Sequence, residues 1–260
     1  MKFETLLTAR EGGVLAVTIN RPRALNALNA QTLAELSAVV SSAASDDGVR
    51  VLTITGAGDR AFVAGADIAE LSALHPEAAR RFSVSGQALL RAIETLGKPS
   101  IASINGFALG GGCELAMACT IRLAADRAEL GQPEIDLGLL PGFAGTQRLV
   151  RLVGRGRALD LLLGGHRIGA VEAERIGLVT RVVPSDRLAE ETREVAHRLA
   201  SKAPLAVRYI LEAVHGGADL PLESATRLEA LLFGLAAATD DMREGTRAFM
   251  EKRKAEFKGQ

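Results

Sequence analysis

The feature that most constrains the fold is a glycine-rich junction near the middle of the chain. An apolar run, Ser100 to Ile104, is followed by Asn105 to Leu109 and then by three consecutive glycines, Gly110 to Gly112. The apolar run predicts a buried strand, and the helix formers from Cys113 to Ala118 predict a helix directly after the glycines. Glycine is typical of positions where the backbone turns with positive φ or closely approaches another group. The junction therefore predicts a strand, a tight turn and a helix N-terminus.

The same junction is a candidate reaction centre. A helix N-terminus presents free backbone N–H groups and the positive end of the helix dipole. Such groups suit an anion or a developing oxyanion. Glu114 follows in the first turn of the predicted helix, beside the same spot. Taken alone, the stretch is equally consistent with a tight turn that carries a surface glutamate.

A second acid, Glu134, lies 20 positions further on (134 − 114). Gly131 and Pro133 before it and Gly138 after it restrict the local backbone. The apolar residues nearby in sequence predict a partly buried carboxylate: Leu130, Ile135, Leu137, Leu139 and Leu140. Buried carboxylates are rare unless they are paired or functional. Two such acids near one oxyanion site predict a reaction centre that needs no metal.

Four motifs in chain order carry a family resemblance. They are Ala64-Gly65-Ala66-Asp67-Ile68, Asn105 to Ala118, Gly131-Gln132-Pro133-Glu134, and Pro141 to Leu149. Together they resemble the enoyl-CoA hydratase (crotonase) family, and its bacterial hydratases above all. The resemblance runs from Arg21 near the N-terminus to Lys254 near the C-terminus. It implies an α/β fold, a crotonase-like spiral of repeated β-β-α units, with a C-terminal helical trimerisation region.

The resemblance also implies a site. Members of the family bind acyl-CoA thioesters and stabilise an enolate-like thioester oxygen with two backbone N–H groups, which match Ala66 and Gly111. Glu114 matches the base that activates water, and Glu134 matches the acid that protonates Cα. The matching substrate contacts are Arg23, Ala24, Leu25, Ala64, Asp67, Ile68 and Lys252. Lys252 is expected to reach a CoA phosphate from a neighbouring subunit. The family needs no metal and no cofactor beyond the coenzyme A of its substrate.

One position departs from the family pattern. Phe143-Ala144 stands where many hydratases have glycines, which bears on how the substrate fits near Glu134. The acyl group itself is not readable from the sequence. We expect the helix around Leu71 to Leu90 to set the chain length that is accepted.

The implied reaction is hydration of a trans-2-enoyl-CoA to a 3-hydroxyacyl-CoA. An enoyl-CoA isomerase of the same family is the first alternative; it moves a double bond and needs no water. Retention of both glutamates favours hydration. An RNA-binding relative is the second alternative, but 31 basic and 31 acidic residues cancel and only six residues are lysine. A neutral chain has no field to attract nucleic acid.

Composition and terminal sequence indicate the kind of protein. With 260 residues, 48% of them apolar, the chain can build a large core without disulfides. Cys113 and Cys119 are expected to be buried, and the four histidines lack the spacing of metal ligands. We find no signal peptide and no apolar run of transmembrane length. The expectation is a soluble, cytoplasmic protein without membrane or nucleic-acid partners.

The pattern of elements predicts two parts. Strands and helices alternate up to about residue 200, which favours an α/β architecture, and only helices are predicted beyond Pro204. We therefore assign residues 1–200 to a crotonase-fold core with the CoA and catalytic site, and residues 201–260 to a helical segment for oligomerisation. An apolar stripe at helical spacing supports a homotrimer or a dimer of trimers: Leu228, Leu231, Leu232 and Leu235.

Overall fold

The computed structural model describes residues 3–260. Strands and helices alternate through most of this range, and helices alone fill its last part. The strands are β1 (Leu6–Glu11), β2 (Val14–Ile19), β3 (Val51–Gly56), β4 (Ala61–Val63), β5 (Ser100–Ile104), β6 (Phe107–Leu109), β7 (Ile121–Ala125), β8 (Glu129–Gly131), β9 (Arg167–Gly169) and β10 (Arg181–Val183).

The helices pack around and beyond these strands. They are α1 (Ala30–Ser45), α2 (Ile68–Ser72), α3 (Pro76–Glu94), α4 (Gly111–Ala118), α5 (Gly145–Val153), α6 (Arg155–Gly164), α7 (Ala170–Arg175), α8 (Leu188–Ala200), α9 (Pro204–Gly217), α10 (Leu222–Ala237) and α11 (Asp240–Met250). Among the described residues, no helix is long and apolar enough to span a bilayer.

Two sheets divide the strands between them. One has the order β1-β2-β3-β5-β7-β10, and the other has the order β4-β6-β8-β9. From β3 onward, the chain places a strand in the first sheet, a short strand in the second, and then a helix. This happens three times, as β3-β4-α2, β5-β6-α4 and β7-β8-α5. The predicted spiral of β-β-α units is therefore confirmed.

Burial explains why the central strands form where they do. Strand β5 is buried along its whole length, and β3 is nearly so, as expected for parallel strands covered on both faces. Helix α1 covers part of the first sheet with buried apolar residues at helical spacing, which include Leu33, Leu36 and Val40. Asn29 caps this helix by accepting the N–H of Thr32 (2.9 Å).

Two features of the strand prediction were wrong. The sequence predicts a first strand from Phe3 to Thr8, but β1 begins at Leu6 and ends at Glu11, because its antiparallel register with β2 runs up to Glu11 and Val14. The N–H groups just before β1 instead bind the Glu35 carboxylate. The three-residue strands of the second sheet were not predicted either, because no alternating pattern can show over such a length.

The C-terminal part contains helices only, as predicted. Leu232 of the apolar stripe is buried, whereas Leu231 and Leu235 are exposed. After α11 the chain folds back on itself. Asp241 accepts the N–H groups of Lys258 (2.7 Å) and Gly259 (2.8 Å) through its two carboxylate oxygens. The division into residues 1–200 and 201–260 stays a prediction.

Candidate active site

The glycine junction has the predicted strand, turn and helix, with the short strand β6 inserted before the turn. Gly110 is the N-terminal cap of α4, with φ of +50°. A Cβ atom on Gly110 would lie only 2.8 Å from Oε1 of Glu134, and one on Gly112 would collide with the carbonyl oxygen of Val63. Glycine is thus required here both by the turn and by the close approach of neighbouring groups.

Two free N–H groups lie beside each other at this junction. A Cβ on Gly111 would lie 3.6 Å from the backbone nitrogen of Ala66, so the two residues are neighbours. Within residues 3–260, neither the N–H of Ala66 nor that of Gly111 has a hydrogen-bond acceptor. Because the first N–H groups of a helix have no partner inside it, they are available to a ligand.

A cavity of about 510 Å³ opens beside these two groups. Its wall is mainly apolar and comes from α2, α3, the junction and the segment from 133 to 147. The lining includes Ala64, Ala66, Ile68, Leu71, Phe82, Gly111, Glu114, Glu134, Leu137, Leu139, Leu140 and Phe143. An apolar cavity with few polar groups is typical of a small-molecule site.

Glu114 lies in the first turn of α4, as predicted, and is 1% exposed. Its Oε1 accepts two backbone hydrogen bonds, from the N–H of Phe143 (2.7 Å) and from that of Gly145 (2.6 Å). Burial, with a further contribution from the Glu134 carboxylate, raises the pKa of Glu114 to about 8. The two N–H groups act in the opposite direction, since they stabilise the ionised form.

Glu134 lies in a 3-10 turn, Pro133–Leu137, and is half-buried. Burial raises the pKa of Glu134 to about 7. The sequence predicted a partly buried carboxylate, and this is confirmed; of the apolar residues named for it, Leu130 is buried, whereas Ile135, Leu137, Leu139 and Leu140 are exposed. Gly110 and Gln132 cover it instead.

Gln132 is a site residue that the sequence reasoning missed. Its side chain is buried, and with its amide nitrogen turned toward Glu134 it donates to both carboxylate oxygens (3.0 and 3.1 Å). A Cβ on Gly145 would come within 2.9 Å of Glu114 Oε1 and 2.7 Å of the Gln132 amide. Gln132 therefore lies close to both acids. A glutamine held between Gly131 and Pro133, two positions before the acid, was the available signal.

The two donors to Glu114 were also missed, because backbone N–H groups leave no trace in a sequence. Ala144 adopts φ of +74° between them, a left-handed conformation that glycine adopts more easily. Arg148 fixes the same loop: it donates to the carbonyl of Phe143 (2.7 Å) and forms a two-pronged ion pair with Glu94 (2.7 and 2.8 Å).

The structure brings together only part of the predicted substrate contacts. Ala64 and Ile68 line the cavity. The other five residues do not line it: Arg23, Ala24, Leu25, Asp67 and Lys252. The carbonyl of Leu25 accepts the N–H of Ala64 (3.1 Å), and Lys252 is exposed just beyond α11.

The Asp67 carboxylate has two partners within the chain. It caps α2 by accepting the N–H of Ala69, and it pairs with Arg21 at 2.8 Å. This guanidinium holds the pKa of Asp67 below its usual range. Within the described residues, no cluster of three or more histidine, cysteine or acidic side chains is arranged to hold a metal ion.

The fold is that of the crotonase class. The enoyl-CoA hydratase/isomerase family profile matches residues 9–260. A protein named crotonyl-CoA hydratase from Syntrophomonas wolfei is 49% identical over 257 residues, which cover 99% of each chain. A short-chain-enoyl-CoA hydratase from Clostridium acetobutylicum is 45% identical over 256 residues, 98% of each chain.

Solved structures give the same result. The crystal structure of an enoyl-CoA hydratase from Bacillus anthracis has a TM-score of 0.97 and 39% sequence identity, over 99% of this chain and 100% of that one. A structure described as an enoyl-CoA hydratase subunit from Geobacillus kaustophilus has a TM-score of 0.94 and 43% identity, over the full length of both chains. The chain belongs to the enoyl-CoA hydratase/isomerase family.

Proposed function

We propose that this protein is an enoyl-CoA hydratase, a hydro-lyase that adds water to a trans-2-enoyl-CoA and forms a 3-hydroxyacyl-CoA. The observation that carries the proposal is the pair Glu114 and Glu134, which line one cavity beside the free N–H groups of Ala66 and Gly111. The names of the similar proteins support the same reaction.

The two N–H groups act on the thioester. Its carbonyl oxygen accepts from Ala66 and Gly111, and this oxygen becomes more negative as the reaction proceeds. A preorganised donor of this kind is worth roughly 3–4 kcal/mol of barrier in other acyl-transfer sites. Withdrawal of electrons toward the oxygen makes Cβ of the enoyl group electrophilic. The donors therefore stabilise the enolate more than the substrate, and this is what accelerates the step.

The two glutamates move the protons. Ionised Glu114 takes a proton from water while the water oxygen bonds to Cβ, and the π electrons of the double bond shift toward the thioester oxygen. Protonated Glu134 then gives its proton to Cα, so water is added across the double bond. Both pKa values are raised, to about 8 and about 7, so the pair holds a shared proton near neutral pH. Hydration begins from the form in which Glu114 is ionised; its two N–H bonds stabilise that form, although burial keeps the pKa of Glu114 above that of Glu134.

A short acyl group is part of the proposal. The ring of Phe143 is buried, lies 5.3 Å from that of Phe82 between ring centroids, and packs closely over Gly86 and Gly111. It therefore occupies space at the reacting end of the cavity that a longer acyl chain would need. The names crotonyl-CoA hydratase and short-chain-enoyl-CoA hydratase of two relatives support this size. The helix predicted to set chain length contributes Phe82.

The CoA contacts and the assembly belong to the proposal as well. Lys252 binds a CoA phosphate, and Arg23, Ala24 and Leu25 lie along the path of the CoA. A homotrimer or a dimer of trimers is supported by exposed apolar side chains on the last three helices: Ile210, Val214, Leu231, Phe233, Leu235, Phe249 and Met250. A cytoplasmic location stays a prediction.

The function is tested by assaying hydration of crotonyl-CoA with the purified wild type and with Glu114→Gln, Glu134→Gln and the double variant. General acid–base groups contribute about 10²–10⁴ in rate, so each single change lowers kcat by that order. The double change costs much less than the product of the two, because the acids act as a unit. Glu172→Gln, which changes a partly exposed acid of α7 that pairs with Arg175, is the matched control. Full turnover in both single variants would refute this acid pair.

A further inference from the structure

Asp67 was predicted to contact substrate, yet its carboxylate is engaged elsewhere. One oxygen pairs with Nη2 of Arg21 at 2.8 Å, and the other accepts the N–H of Ala69 at 3.2 Å. The two paired side chains are each 20% exposed, so solvent only partly screens the interaction. Asp67 follows directly after Ala66, one of the two proposed oxyanion donors.

Arg21 ties two segments of the chain together. Its Nη2 pairs with Asp67, and its Nη1 donates to the carbonyl of Ala27. Ala27 and Asp67 each adjoin one residue of a parallel β-bridge: Ala27 precedes Leu28, and Asp67 follows Ala66. In that bridge the N–H of Leu28 donates to Gly65 (2.8 Å), and the N–H of Asp67 donates to Leu28 (2.8 Å). One guanidinium therefore holds both sides of the bridge.

We call Arg21, with its contacts to Asp67 and Ala27, the clamp. Arg21 is also attached to the core of the fold. The backbone N–H of Arg21 donates to Oδ1 of Asn26 (3.0 Å). Asn26 is buried, and its Nδ2 donates to the carbonyls of Ala57 (3.0 Å) and Ala61 (2.8 Å). Ala61 begins β4 of the second sheet. The clamp thus connects the Ala66 segment to a rigid part of the fold.

The segment needs such a restraint. Gly65 has φ of +113° and leaves the backbone before Ala66 conformationally permissive. Its neighbours are held through the bridge, while the N–H of Ala66 itself stays free. An oxyanion donor stabilises the transition state only when it is fixed at the right position beforehand.

We propose that Arg21 and Asp67 are positioning residues, which hold the Ala66 N–H in oxyanion geometry without touching substrate. This rests on the oxyanion role proposed above for Ala66. Arginine suits the position because its planar fork supplies two directed donors, one to a carbonyl and one to a carboxylate. A lysine ammonium is a single point charge on a flexible stem and cannot replace both.

The test compares Asp67→Asn and Arg21→Lys with the wild type on crotonyl-CoA. Asparagine keeps the size of Asp67 and an oxygen for the Ala69 N–H, but it loses the charge that pairs with Arg21. Loss of an oxyanion donor costs about 10²–10³ in kcat, so a displaced donor should cost about 10-fold, with KM within about 2-fold. The bound enolate of acetoacetyl-CoA, followed by its absorbance, should weaken in parallel.

Asp46→Asn is the matched control, because it breaks the exposed ion pair with Arg10 far from the cavity. Its kinetics and its enolate signal should equal those of the wild type.

A higher KM with unchanged kcat in Asp67→Asn would overturn the proposal, since that indicates a substrate contact. So would a lower melting temperature with unchanged kcat and enolate signal, which indicates a purely structural pair. If Asp67→Asn does not fold, Arg21→Lys decides by the same readouts. An inactive wild type would instead refute the proposed function.

Discussion

At the scale of single residues, Glu114 lowers the stability of the folded chain, because its ionised carboxylate is buried. A carboxyl group that is almost fully buried and close to a second acid gains little from ionisation beyond its two N–H bonds. A sequence selected for stability alone would place a neutral side chain there. The proton transfer proposed for Glu114 explains why an acid stands there.

This burial predicts a pH-dependent gain in stability for Glu114→Gln. The pKa is raised from 4.5 to about 8 in the folded chain, so the folded state binds this proton more tightly than the unfolded state. Its stabilising effect is complete below about pH 4.5 and is lost as the pH rises toward 8. The melting temperature of Glu114→Gln should therefore exceed that of the wild type at pH 8, and the difference should shrink toward pH 5. A difference that does not vary with pH would contradict the assignment.

The position of the Phe143 ring predicts a preference for short acyl chains. Replacing it by alanine removes the ring over Gly86 and Gly111 and opens the reacting end of the cavity. The ratio of kcat/KM for 2-octenoyl-CoA to that for crotonyl-CoA should rise at least about 10-fold, because each methylene in a fitted pocket is worth about 10–200-fold. Phe107→Ala, outside the cavity lining, is the control and should leave the ratio unchanged. Because Phe→Ala in a core costs about 3–5 kcal/mol, the milder Phe143→Leu is measured alongside.

Among single residues, the sequence located those whose position is set by a local motif. Glu114, Glu134, Ala66 and Gly111 all line the cavity, at the positions that their motifs indicated. The partners of these residues were not identifiable. Asp67 pairs with a residue 46 positions away, and Glu114 binds N–H groups 29 and 31 positions away. Only the fold brings such groups together.

At the scale of elements, the length of a helix or strand decided whether the sequence could predict it. The sequence predicts helices from Gly145 to Val153, from Pro76 to Leu96 and from Pro221 to Ala237, and α5, α3 and α10 match these bounds to within two residues. Each has enough turns for its apolar period to show. The strands of the second sheet have three residues each, so tertiary pairing rather than local pattern defines them. They still matter for function, since β6 and β8 lead into the segments that carry the two acids.

The end of α11 supports a role for Lys252. This residue has φ of +55° and follows Glu251, the C-terminal cap of the helix, a position where glycine is preferred and another residue costs roughly 1 kcal/mol. Lys252→Ala should raise KM for acyl-CoA several-fold and change kcat little, because a lysine acts on phosphate as a point charge. Lys202→Ala, at another exposed site, is the control. Kinetics unchanged at low salt would reject the phosphate contact.

At the scale of the whole molecule, the last helices expose more large apolar side chains than we expect of a monomer. Phe233, Phe249 and Met250 are each at least 75% exposed, and many large apolar side chains exposed on one segment are typical of an interaction surface. Sedimentation at micromolar concentration should therefore give three or six times the chain mass of 27.3 kDa. Leu231→Glu, which puts a charge on this surface, should shift the assembly toward monomer. A monomeric wild type would rule the trimer out.

The central claim is that water is added to the substrate, and isotope labelling tests it most directly. The wild type is incubated with crotonyl-CoA in oxygen-18 water, and the product is examined by mass spectrometry. The account predicts 3-hydroxybutyryl-CoA with the label on its β-hydroxyl group, formed far more slowly by Glu114→Gln. A product with a shifted double bond and no label would show an isomerase and contradict the account.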